Sequence, residues 1–430
     1  MKIKKLEIKG LHGNEEPLIL EFNDDLNILS GRNGAGKTTI LKLMWYLISG
    51  NFDKAIAEIK FDSVKLETDI YSLLIDIDFN NSKSPFKCDL KLKAHNVLKN
   101  FETDENLSRL IQTKKMSDIN WFLTQYIESS FFMPTFRMIE GGFTTEKYDI
   151  KHDLIKEFYL DINKDNNYSD TEFALKKLSS NLTKQKHKFF TTISAKDIDT
   201  FLVKKYAEIM KRVNTLQNES INLFSKKFNL LVEQRLGNPG ERENFDNLTK
   251  KIELLEGEIN TLNKPLNKIK SAITDFMPSF NIEFDERIYF THKNESNDDC
   301  EIEDTNDVLI EYPIRTDIKP NLDEIVDFDE FEFEDLDEDR SNSLTINNLS
   351  AGEKQLLTFV AFNIFHNDTI FFIDEPELSL HVDWQSKLFS LLKEQNPTNQ
   401  FIISTHSPFI YSIFPDKELV IDPDKGCSEF

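Results

Sequence analysis

The chain has 430 residues, with 52 Lys and Arg against 75 Asp and Glu and a net charge of −23. That length can bury one large domain with an insertion or two to three ordinary domains, while so negative a charge disfavours a broad nucleic-acid surface, which works by neutralising phosphate with Lys and Arg. No apolar run reaches the roughly 18 residues of a membrane helix, and Cys88, Cys300 and Cys427 are too scattered for a disulfide framework or a zinc site.

The opening segment MKIKKLEIKG is basic but alternates charge with aliphatic residues and lacks the apolar centre of a signal peptide, so a cytoplasmic location is expected. Strands are predicted where apolar and polar residues alternate: at Leu6 and Ile8, at Leu18, Leu20 and Phe22, and at Leu26 to Ser30. The last of these runs straight into Gly31, Arg32, Asn33, Gly34, Ala35, Gly36, Lys37, Thr38 and Thr39. This string fits G-x-x-x-x-G-K-[ST], a turn whose backbone N–H groups wrap phosphates while the lysine reaches the terminal ones. Lys37 to Ser49 is dense in Ile, Leu, Met and Trp, as suits a helix buried against a sheet with its N-terminus aimed at phosphate. Further strands are predicted at Leu73 to Phe79, Cys88 to Lys93 and Ser129 to Met133, which makes residues 1–165 a nucleotide-binding lobe with an antiparallel β layer.

From Thr171 to Met277 the sequence turns polar and helical. Phe245, Leu248, Ile252, Leu255, Ile259, Leu262, Leu266, Ile269, Ile273 and Phe276 alternate steps of three and four, a heptad seam. Gly237 to Gly240 is a strong breaker, and Tyr206, Ile209, Val213 and Leu216 before it trace a second, less regular seam. An antiparallel hairpin over residues 166–285 is therefore expected, with arms reaching roughly 50 Å and a kink or split at Pro265. A helical subdomain packed on the head satisfies the same spacing. Lysines between Lys176 and Lys227 offer a local basic face or a solvated one. Residues 286–340 follow, with acidic runs at Ser296 to Asp307 and Asp323 to Asp339, read as a solvated insertion or edge hairpin.

The last segment, 341–430, carries three more signals. Leu349 to Gln355 reads LSAGEKQ, which taken alone is also a helix start with Ser350 as cap and Glu353 closing a capping box. Thr369 to Glu377 is an apolar strand delivering Asp374 and Glu375 at its end. Such a strand can aim the first carboxylate at Mg²⁺, with Thr38 as the other protein oxygen, and the second at an attacking water; it can also be a strand ending in a solvated turn. Leu378 to His381 leads into a helix, and a second apolar strand, Gln400 to Ser404, ends in Thr405-His406-Ser407-Pro408. His406 thus stands at a carboxyl sheet edge, where ligands bind in α/β folds, although a lone histidine there is also a common structural residue.

In this order the motifs resemble the heads of the SMC-like ABC ATPases, a group that includes RecF, RecN and the OLD-family ATPases. The resemblance implies an α/β fold, an ABC-type P-loop head assembled from both ends of the chain around an inserted antiparallel coiled-coil hairpin. It also implies ATP and Mg²⁺ as cofactors, Gly31 to Thr39 as Walker A, and Ser350, Ala351, Gly352 and Glu353 as the signature. Asp374 and Glu375 correspond to Walker B, Ser379 to His381 to the D-loop, and His406 to the switch histidine. By the same resemblance two heads sandwich two nucleotides, with Ser350 and Gly352 of one protomer facing the phosphate held by Lys37 of the other. Two departures stand out. No clear Q-loop glutamine is present: Gln125 is a candidate, while Phe131 to Arg137, FFMPTFR, looks more like a strand-Pro-x-x-Arg element of OLD-like ATPases. The sequence also ends at Phe430, soon after His406, where OLD-family nucleases continue into a Toprim domain, so no attached nuclease is expected.

Two functions follow from the resemblance. One is a slow ATPase that dimerises, or assembles further, as the switch of an antiphage system. Like the stand-alone ATPases of PARIS and Septu systems, it would control a separately encoded effector, a nuclease, in response to a phage protein or nucleic acid and away from any membrane. The other is a RecF-like repair or recombination ATPase that clamps DNA.

Overall fold

In the computed structural model of the chain, the described residues are 1–77, 86–92, 116–126, 128–135, 170–191, 194–234, 242–285, 287–292 and 343–421. The N-terminal strands β1 (Ile3–Lys9), β2 (Leu18–Glu21) and β3 (Leu26–Ser30) are followed by a helix over Lys37–Ile48. Next come β4 (Ser63–Thr68), β5 (Tyr71–Ile77), β6 (Phe86–Leu92) and β7 (Ser130–Met133). β4 was not anticipated, because Val64 and Leu66 between Lys65 and Glu67 make too short an alternation to stand out. An antiparallel sheet of order β2-β1-β4-β5-β6 results, and its strands alternate buried and half-buried residues, as expected with one face on a core.

The second layer is parallel, in the order β14-β3-β13-β12-β7-β8. Its remaining strands are β8 (His187–Phe189), β12 (Ile370–Asp374), β13 (Gln400–Ser404) and β14 (Glu418–Val420). Every residue of β3, β12 and β13 is buried, which is why these strands read as mainly apolar runs with few polar residues among them. The Lys37–Ile48 helix packs between the two sheets with Ile40, Leu41, Met44, Trp45 and Leu47 in one core. A second core covers the opposite face of the parallel sheet, built from Leu356, Val360 and Phe389 together with the hairpin base. Among the described residues no helix is long and apolar enough to cross a membrane.

The hairpin expectation is met by helices over Ala195–Gln234 and Arg242–Phe276. Near the head, Ile269, Ile273 and Phe276 join the second core; farther out, Leu223, Ile252 and Leu255 form a small core of their own. Both sequence readings therefore hold, one at each end of the arms. The second arm runs through Pro265 as one helix rather than splitting: Leu266 and Ile269 beyond the proline are buried, and that packing outweighs the local penalty. A second difference lies before the first arm. β8 pairs in parallel with β7, so residues placed in the helical segment 166–285 by sequence form the edge of the head's sheet. Three residues, with His187 and Lys188 among them, are too few to announce a strand; Phe189 nevertheless stacks on Phe132 at 5.3 Å.

β9 (Phe280–Phe284), β10 (Ile288–His292) and β11 (Leu344–Thr345) make a small antiparallel sheet. The pair Phe290↔Leu344 joins the two sides of the acidic segment just ahead of the Ser350 region. The acidic runs themselves, the 237–240 breaker, Phe136, Arg137 and the side chain of Gln125 lie outside the described residues.

Two imidazoles, the buried His187 and the half-buried His366, are expected to make the head sensitive to acid. His187 shares a 2.8 Å hydrogen bond between its Nδ1 and Ser130 Oγ, and His366 Nδ1 lies 2.9 Å from the Phe362 carbonyl. Burial pushes both down to about 4. Below the ordinary value of about 6.5 the unfolded chain takes up protons that the folded chain refuses, so stability falls as pH drops from there towards 4 and is flat above it. Each histidine is expected to cost about 2 kcal/mol at pH 5 relative to pH 7. Denaturant midpoints measured at the two values check this: His366→Phe should shrink the difference by roughly one histidine's share, and an unchanged difference would remove His366 as a source.

Candidate functional site

β13 lies between β3 and β12, with Leu29, Ser404 and Asp374 in register across them. The carboxyl ends of these strands, neighbours about 4.8 Å apart, therefore release the Gly31 loop, Thr405-His406 and Asp374-Glu375 side by side. Gly31 has φ 134°, and a Cβ there would come within 2.1 Å of the Ile421 carbonyl oxygen, so only glycine lets β3 turn beside β14. The helix starts at Lys37, whose Nζ donates to the Gly31 and Arg32 carbonyls at 2.9 and 3.1 Å inside the loop's own curve. Burial lowers the lysine's pKa, against the opposing charges of Glu375, Asp374 and Glu377.

Asp374 is buried and accepts three hydroxyl hydrogen bonds. Thr38 Oγ1 lies 2.9 and 3.1 Å from its two oxygens, Thr135 Oγ1 donates to Oδ2 at 2.7 Å, and Ser404 Oγ donates to Oδ1. Among the described residues no group of three or more His, Cys, Asp or Glu side chains could hold a metal ion. The donors here, one hydroxyl and one carboxylate, suit a hard cation that takes few protein oxygens and completes its shell with phosphate and water, which is the habit of Mg²⁺.

Glu375 sits at φ 51°, a left-handed conformation uncommon outside glycine, and its N–H donates to the Ser404 carbonyl at 2.9 Å. One cleft brings Glu375 together with Asn33, Gly34, Gly36, Lys37, Thr38 and Thr39, and with His406. Arg32 lines an adjoining cleft that His406 shares. Ala35 instead packs against the core.

Ser350, Ala351, Gly352 and Glu353 line neither cleft. The capping-box reading of this segment is met: Ser350 Oγ accepts the Glu353 N–H at 3.3 Å and Glu353 Oε2 accepts the Ser350 N–H at 2.6 Å. The helix they open, Ala351–Phe365, is nonetheless tied to the site. A Cβ on Gly352 would lie 2.2 Å from the Ser379 carbonyl oxygen, and Gln355 Nε2 donates to the Pro376 carbonyl at 3.1 Å. From there Gln385 Nε2 donates to the Leu380 carbonyl at 2.9 Å and its Oε1 accepts from Ser407 Oγ at 2.6 Å, while Glu377 Oε1 accepts the His406 N–H at 2.7 Å. The Pro376–Leu380 segment thus bonds to the Ser350 helix on one side and to the His406 turn on the other.

Sequence reading had missed Thr135, Ser404, Glu377 and His12. The last has φ 53° in the β1–β2 connection and lines the Lys37 cleft. Ser404 and Glu377 were visible only as the end of a strand and the tail of an Asp-Glu-Pro-Glu turn, and Thr135 only as the residue after the proline in FFMPTFR.

The profile of the AAA ATPase domain family matches residues 1–411. The Septu protein PtuA of Bacillus thuringiensis is 35% identical over 106 residues, 24% of this chain and 23% of that protein. A retron Vc95 probable ATPase of Vibrio cholerae serotype O1 biovar El Tor is 32% identical over 93 residues, 19% of this chain and 18% of that one. These matches therefore span less than a quarter of either relative's length. Among solved structures, the SMC head domain from Thermotoga maritima aligns over 96% of this chain and 92% of that one, at 12% identity and a TM-score of 0.38.

Proposed function

The chain belongs to the AAA ATPase domain family, and on that premise we propose that it is the ATP-operated switch of a bacterial antiphage defence system, dimerising through ATP and controlling a separately encoded effector, a nuclease. The observation that carries the nucleotide half of this reading is the meeting of the Gly31 loop, Asp374, Glu375 and His406 at one carboxyl sheet edge. The defence half is supported by the likeness to a Septu protein and a retron ATPase.

In this reading Arg32 to Thr39 hold the phosphates and Lys37 moves from its loop carbonyls to a phosphate oxygen. Thr38 and Asp374 hold Mg²⁺, which when bound neutralises phosphate charge. Glu375 orients and deprotonates the attacking water, and His406 faces the terminal phosphate. Ser350, Ala351, Gly352 and Glu353 complete the site of a second protomer, and the bonds that the Pro376–Leu380 segment makes to Gln355 and to the His406 turn couple that contact to His406. Turnover is slow, since a sensor has to rest in its ATP-bound posture. The chain divides into an N-terminal lobe (1–165), a hairpin (166–285), an acidic insertion (286–340) and a C-terminal lobe (341–430), and the last of these carries the Ser350 helix that a partner would sense.

The test is to express the tagged chain with its neighbouring genes, purify it in ATP and Mg²⁺, and measure the native mass and identity of what accompanies it. A stoichiometric second protein with nuclease motifs is expected. A bare dimer that retains duplex DNA until salt releases it would replace the switch with a DNA clamp.

A further inference from the structure

The Asp374 carboxylate is held from both sides of its strand. Ser404, in register with it on β13, donates to Oδ1. On the other side β7 pairs with β12 as far as Met133↔Ile373, and Pro134, having no N–H, cannot continue the ladder. Just beyond it lies Thr135, whose Oγ1 donates to Oδ2 at 2.7 Å. Two donors on opposite oxygens, from two different strands, fix the rotation of the carboxylate about its own axis. A carboxylate accepts about four hydrogen bonds or ligand contacts, and those left over face Thr38.

We infer that Thr135 is a positioning residue of the metal site: it holds the Asp374 carboxylate at the angle from which, together with Thr38, it takes a divalent cation. The inference rests on the proposed nucleotide reading and deepens it. Gln125 belongs to the Met116–Tyr126 helix ahead of β7, whereas Thr135 stands at the sheet edge beyond it, one residue past the proline and within reach of Asp374.

A hydroxyl that merely satisfies a buried carboxylate would affect folding, not metal dependence, and this separates the two roles. A fluorescent ADP analogue is bound in EDTA and then titrated with Mg²⁺, for the parent, Thr135→Val and Thr135→Ser. Outer-shell partners of a metal ligand are worth roughly 10-fold to 100-fold in metal affinity. Thr135→Val is therefore expected to bind the analogue in EDTA as the parent does but to need about 10-fold more Mg²⁺ for the same tightening, and Thr135→Ser to return to the parent midpoint. An unchanged Mg²⁺ midpoint in Thr135→Val would overturn the inference, as would an equal loss with and without metal that Thr135→Ser does not repair. A parent protein that binds no nucleotide, or binds it without regard to Mg²⁺, would sink the nucleotide reading itself.

Discussion

Lys37→Ala is expected to weaken binding of ATP and ADP by about 100-fold or more while leaving the nucleotide-free protein no less stable than the parent. Charge-assisted hydrogen bonds of the kind an ammonium makes to phosphate oxygens contribute about 1.5–3 kcal/mol each, and Lys37 is the only cation of the loop helix's first turn. Its removal does not open the core, because the ammonium's partners are the Gly31 and Arg32 carbonyls of the loop itself. Burial already lowers the pKa of Lys37, so the folded protein holds this charge at a cost that alanine relieves. Calorimetric titration with ADP, alongside a thermal melt of the free protein, separates the two effects. Affinity within about threefold of the parent would remove the phosphate role from this loop. A large fall in the melting temperature would instead mean that the lysine holds the loop together.

How much of this could be read from residues alone depended on whether the chemistry was local. The Gly31 loop announced itself because a phosphate cradle needs glycines and a lysine at fixed spacing in one stretch, and β3, β12 and β13 did so because strands buried on both faces are mostly apolar rather than alternating. The second hairpin arm was legible for a similar reason: its seam is a period, and a period needs no knowledge of partners. What stayed hidden depends on strand order. Thr135 and Ser404 meet on Asp374 only because β7 and β13 flank β12, and neither residue carries a signature of its own. Gly352 was recognised as part of a motif, but its close approach to the Ser379 carbonyl is a tertiary contact that no spacing foretells. The course of the helix through Pro265 is a similar case, in which packing at Leu266 and Ile269 overrides a local rule.

Glu375→Gln is expected to leave ATP affinity close to that of the parent, to let the ATP-bound dimer accumulate, and to slow hydrolysis by about 100-fold to 10,000-fold, the range a positioned general base contributes. Glutamine keeps the shape of the side chain and the N–H bond to the Ser404 carbonyl, so the unusual backbone at this residue has no reason to relax. Lys37, Thr38 and Asp374, to which the proposed mechanism gives the phosphate and metal contacts, are untouched, and so are their mutual bonds and those to the loop. The competing carboxylate is Glu377, two residues on. Its Oε1 is committed to the His406 N–H at 2.7 Å, whereas Glu375 lines the cleft beside Lys37 and Thr38. Single-turnover hydrolysis and native mass in ATP and Mg²⁺ give the two readouts. Turnover at the parent rate would take the base away from Glu375, and slow turnover without a dimer would separate hydrolysis from assembly. Lys37→Ala and Glu375→Gln should therefore fail differently, the first empty and the second loaded, because in the proposed mechanism one side chain meets the phosphates directly and the other acts only on the water that attacks them.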